Sequence, residues 1–117
     1  MQSVIVDYSA GVVASPFRIT VRPSEVIRFS LAGNAKLDHR LRVTIEDAAH
    51  AQFFSAQAVE HPAGGHPADA IELGVKPGIG TSAVVKYRCD LLNASGQLLD
   101  SSANHPSGGG EIIFGLA

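Results

Sequence analysis

The chain has 117 residues, 45% hydrophobic and 17% charged, with a formal net charge of -2. This is a globular rather than a disordered composition, sized for a single domain over residues 1–117 that buries roughly two-thirds of its unfolded surface. Nine Lys and Arg against eleven Asp and Glu offer no basic field for nucleic acid, no apolar run reaches the ~20 residues of a membrane span, and the single Cys89 excludes an intrachain disulfide.

The N-terminal MQSVIVDYSAG lacks a basic start and a long apolar centre, so it does not read as a signal peptide. The expected protein is soluble, of undetermined compartment, and exported only if a leader has been cleaved from it. Residues 3–8 read as a first strand, with Gly11 and Pro16 as punctuation after it. Phe17, Ile19 and Val21 alternate with Arg18, Thr20 and Arg22, the pattern of a half-buried strand. A turn at Pro23-Ser24-Glu25 leads into Ile27, Phe29 and Leu31, and residues 32–38 form a loop. His39, Leu41, Val43 and Ile45 share one face of the next strand, opposite Arg40, Arg42, Thr44 and Glu46.

The Ala-rich segment 47–59 fits neither period well. It is expected to hold a helical turn at Ala48-Ala49-His50 and an irregular strand over 52–59. The segment HPAGGHP at 61–67 excludes regular structure, residues 70–73 make a short strand, and 76–80 form a turn. Val85, Tyr87, Cys89 and Leu91 then alternate with Lys86, Arg88 and Asp90. Asn93-Ala94-Ser95-Gly96 supplies hairpin turn chemistry, and residues 97–99 run back. A flexible loop over 101–110 precedes a last strand carrying Ile112, Phe114 and Leu116. These elements predict an all-β chain, a two-sheet antiparallel Greek-key sandwich of about seven to nine strands.

Phe17, Ile19, Val21, Ile27, Phe29, Leu41, Val43, Ile45, Tyr87, Cys89 and Leu91 are the expected core. Ile112, Ile113 and Phe114 leave no polar face on the last strand. That strand must be central in its sheet or covered by a partner subunit.

The stretch FRITVRPSEVIRFSLAGNAKLDHRLRVTIED, with Tyr87-Arg88-Cys89 later and His105 before GGGEIIF, resembles a cupredoxin, within a wider likeness to immunoglobulin-like sandwiches. The resemblance implies a copper site built from His39, Cys89 and His105 in chain order. Two departures stand beside it. Fifteen residues separate Cys89 from His105, where the family's loop has only a few, and no Met follows His105.

His61 and His66, in His-Pro pairs near glycines, are further candidate metal ligands, but they lack a recognised zinc spacing. No nucleophile elbow, HExxH or phosphate-binding glycine loop is present, so the chain is not expected to be an enzyme. The first functional reading is a non-catalytic binding or assembly module without a cofactor, joined to a protein partner or to itself. Poorly covered edges at 52–59 or 112–116 would carry that association. The alternative is a copper-binding protein of the cupredoxin kind.

Overall fold

A computed structural model describes residues 2–7, 12–31, 38–62, 69–77, 83–102 and 109–114. Nine strands and one short 3-10 helix occupy them: β1 (Gln2–Asp7), β2 (Val13–Val21), β3 (Val26–Leu31), β4 (Arg40–Ile45), the 3-10 helix Ala48–Phe53, β5 (Ala58–Glu60), β6 (Ile71–Gly74), β7 (Ala83–Leu92), β8 (Leu98–Ser101) and β9 (Gly109–Phe114). The period-2 segments all became strands, since each keeps one apolar and one polar face. In the Ala-rich segment, Asp47 caps the 3-10 helix by accepting from the Ala49 N–H at 2.9 Å, and strand begins only at Ala58. The helix takes Gln52 and Phe53, and of the irregular strand expected over 52–59 only Ala58 and Val59 lie in a strand.

The strands form one hydrogen-bonded path, β5-β4-β7-β9-β2-β1-β3-β6, with β8 on β7. The all-β expectation holds, but the pairing is not wholly antiparallel, because β1–β3 and β2–β9 run parallel. β2 pairs β1 through Val13–Ser15 in its first half and, besides a pairing of Val13 with Gly109, pairs β9 through Arg18–Val21 in its second. Between these halves the register shifts, around Pro16, which has no N–H to give a ladder. Phe17 falls inside this break and is 45% exposed, so it does not join the core as its alternation suggests.

The path rolls until β3 faces β7, where the Phe29 and Tyr87 rings meet edge to face with centroids 5.3 Å apart. All the other expected core residues are buried in one cluster, joined by Val4, Val6, Phe54, Leu73, Ile112 and Phe114. β9 lies between β7 and β2, with Ile112 and Phe114 inward. It is therefore an interior strand, not an edge.

Rolling brings the end strands β5 and β6 toward each other, and two clasps cross the seam. At one end the chain leaving the 3-10 helix runs along β6: Ser55 N–H donates to the Gly74 carbonyl at 2.8 Å, Lys76 N–H to Phe53 at 2.9 Å, and Phe54 bridges Val75. At the other end His61 extends the β4–β5 ladder by one step. Its N–H donates to the Leu41 carbonyl at 3.0 Å, and its ring Nδ1 accepts from the Leu41 N–H at 3.0 Å. The opposite ring nitrogen, Nε2, reaches the Asp69 carbonyl at 2.6 Å, just before β6.

With Nδ1 accepting, the proton must sit on Nε2, so one neutral tautomer ties β4 to the entrance of β6. His61→Phe preserves the ring's bulk but leaves the Leu41 N–H and Asp69 carbonyl unpaired. By the usual penalty for such groups it should lower stability by about 1–3 kcal/mol in urea denaturation. A variant as stable as the parent would refute the clasp.

Candidate functional site

Cys89 is the residue on which the copper expectation turns. It faces the core from β7 at the level of Val43 and is fully buried. Along the other edge of β7, β9 pairs as far as Tyr87 and β8 begins at Asp90, so the Cys89 N–H faces a gap between two strands. Ser102 fills the gap, its Oγ accepting from the Cys89 N–H at 2.9 Å. Burial, with the neighbouring Asp90 carboxylate adding to it, pushes the Cys89 thiol up from 9.0 to about 12. The thiolate that a metal or an electrophile requires is thereby disfavoured.

Two positions along the same face, Tyr87 packs its ring against β9. The Tyr87 hydroxyl is buried without a hydrogen-bond partner, and burial raises its pKa. The ring fits because residue 110 is glycine, and Gly109 clears the Tyr87 backbone. A Cβ on Gly110 would collide with the Tyr87 hydroxyl and ring. One on Gly109, which has φ +78, would lie 2.6 Å from the Tyr87 carbonyl oxygen. These glycines belong to β9 itself rather than to a flexible loop. They accommodate the Tyr87 ring and backbone carbonyl, with the rest of β9 rather than a helix following them.

His39 is half-buried just before β4. Since Arg40 pairs with Leu92 while Val43 pairs with Cys89, His39 stands four residues along the strand from the Cys89 level. At ~3.3 Å per residue that is about 13 Å, too far for a shared ion. The structure thus does not bring His39 and Cys89 together. His61 is buried, not an exposed loop residue, and both its ring nitrogens are engaged in the seam. His66 and His105 lie outside the described residues. Among the described residues, no three His, Cys, Asp or Glu side chains gather as a metal site. The acid–histidine neighbours Asp47 and His50 form the helix start, where the His50 N–H donates to the Asp47 carbonyl and its ring stacks on Phe53.

The outward face of β4, β7, β9 and β2 carries what the sequence alone does not pair up. Asp90 is buried between two guanidinium groups. Its Oδ2 accepts from Arg42 Nη2 at 2.9 Å and Nε at 3.1 Å, while Oδ1 accepts from Ser101 Oγ at 2.6 Å and lies 3.2 Å from Arg88 Nε. A buried carboxylate is tolerated only when so paired, and this one is saturated.

Four residues along β7 from Asp90, Glu46 just past β4, Lys86 on β7, Glu111 on β9 and Arg18 on β2 stand side by side, with Arg18 Nη2 3.0 Å from Glu111. The next row is apolar: Val84 beside Ile113, then Thr20. Val84 is 52% exposed and Ile113 is half-buried. Alternation identifies these as outward residues, but only the strand order and register reveal who neighbours whom.

No protein-family model matches the chain, and no curated protein matches it in sequence. Among the described residues, no helix is long and apolar enough to cross a membrane.

The raised Cys89 thiol fixes the sign of an alkaline effect. Below pH 9 the thiol is protonated in both states; between 9.0 and about 12 the unfolded chain has lost the proton and the folded chain still holds it. The unfolded state then binds fewer protons, so stability falls as pH rises through that window. Urea midpoints measured from about pH 8 to 11 should decline, and less steeply in Cys89→Ala. Identical profiles for the two proteins would contradict the buried thiol.

Proposed function

We propose that the chain is a non-catalytic assembly module, built as a two-layer Greek-key β-sandwich of the cupredoxin-like or immunoglobulin-like kind. In that description β2 bends at the register break beside Pro16 and borders both layers. The working surface is the outward face of β7 and β9. The observation that carries the reading is the apolar pair Val84 and Ile113 on neighbouring strands, one of them half exposed beside a row of charges. A sheet face of this kind gains by being covered.

Edges are poorer candidates. β5 has three residues, β8 is short and irregular where it pairs with Leu91 and Leu92, and β6 is bordered by the seam segment. Short and bulged edges are how sheet proteins avoid strand addition, so a partner is better received on the face.

Static light scattering over roughly 5–500 µM, the range where small interfaces dissociate, should give a mass rising above the 12.2 kDa chain. Val84→Lys, at an exposed position, should return it to monomer while keeping the fold. A constant monomer mass over the whole series would reject self-assembly. A rise untouched by Val84→Lys would move the surface elsewhere.

A further inference from the structure

The charge order on this face says what covers it. Resting on the assembly reading above, we infer that the occupant is a second copy of this chain, docked face to face about a two-fold axis parallel to the strands and midway between β7 and β9.

Across the sheet the order of strands is β4, β7, β9, β2. A two-fold axis between β7 and β9 exchanges those two strands with their copies, and likewise exchanges β4 with β2. The charged row reads Glu46, Lys86, Glu111, Arg18, that is minus, plus, minus, plus. Reversed, it reads plus, minus, plus, minus. Every member therefore meets its opposite: Lys86 faces the second copy's Glu111, and Glu46 faces the second copy's Arg18.

The adjacent row obeys the same operation, since Val84 on β7 meets the second copy's Ile113 on β9, and the reverse. An isologous contact requires this reciprocity, residue i on j and j on i, in both the charged and the apolar row.

The charges that need partners are the right ones. Glu111 is bound by Arg18 within one copy, whereas among the described residues neither Lys86 nor Glu46 has an ion pair. Both are exposed on the row and gain a facing opposite charge in the dimer. Any other partner would have to reproduce this alternation by coincidence; a second copy carries it already. Four strands ~4.8 Å apart present a narrow face, below the ~800 Å² per partner of a standard interface, so association is weak and reversible.

The test is a charge exchange read by sedimentation equilibrium on the intact chain. Lys86→Glu sets like charges against each other twice per dimer and should weaken association by about tenfold or more. Lys86→Glu combined with Glu111→Lys reverses both members and should restore it. Circular dichroism melts verify that each variant is folded.

A second readout needs no charge change. Mixed Val84→Cys and Ile113→Cys proteins should form a mixed disulfide faster than either forms its own, because the axis sets these two positions opposite each other. Dimers that are insensitive to Lys86→Glu and show no preference for the mixed disulfide would overturn the two-fold arrangement while leaving self-assembly standing. A strict monomer would overturn both.

Discussion

A sheet that rolls on itself must still satisfy the peptide groups along its two end strands, and the whole arrangement of this chain follows from how it does so. Here the ends are β5 and β6, only three and four residues long. One seam clasp is ordinary backbone, running from the 3-10 helix past β6. The other is a side chain, the His61 imidazole, standing in for the carbonyl that a longer β5 would have offered to Leu41. Leu41 is buried in the core and Arg40 also binds the His61 carbonyl, at 2.9 Å and 3.0 Å. Releasing the ring would therefore open β4 as well as the seam. Buried N–H and carbonyl groups without partners are costly enough that such a position is specified rather than incidental.

The same accounting explains the interior polar groups along β7. This strand serves β4 on one edge and shares the other between β8 and β9, which leaves the Cys89 N–H between the two. Ser102 supplies the missing acceptor, and Ser101 beside it binds Asp90. The segment after β8 thus completes a ladder that two separate strands could not. Cys89 is a core residue, and the glycines at 109 and 110 make room for the Tyr87 carbonyl and ring. The Cys89 N–H and the Asp90 carboxylate are satisfied internally; what faces outward on β4, β7, β9 and β2 is a patterned surface.

How much of this was legible in the sequence depended on whether local alternation was enough. Strands β3, β4 and β7 announced themselves through period-2 patterns, and their inward residues lie in the core as the patterns require. The turn at Asn93 also followed from chemistry, with its Oδ1 accepting from the N–H groups of Ser95 and Gln97. Phe17 misled because its phase is correct but the strand breaks register beside Pro16. The middle segment misled because its order comes from contacts with distant residues: Phe53 and Phe54 pack on Phe114, and Ser55 binds Gly74. His61 looked like a loop residue because its partners are 20 residues back and eight residues on. The alternating charges at Glu46, Lys86, Glu111 and Arg18 were each visible as outward residues. Their sequence separation hid the row, which exists only once strand order is known.

The neutral His61 imidazole is one of the two clasps that close the rolled sheet, and its proton position is directly observable. Long-range nitrogen–proton correlation spectra of 15N-labelled protein distinguish the two histidine tautomers. His61 is expected to carry its proton on Nε2, with Nδ1 unprotonated, and the Leu41 amide to be among the slowest to exchange. A His61 ring protonated on Nδ1, or averaging between tautomers with a fast-exchanging Leu41 amide, would contradict that clasp.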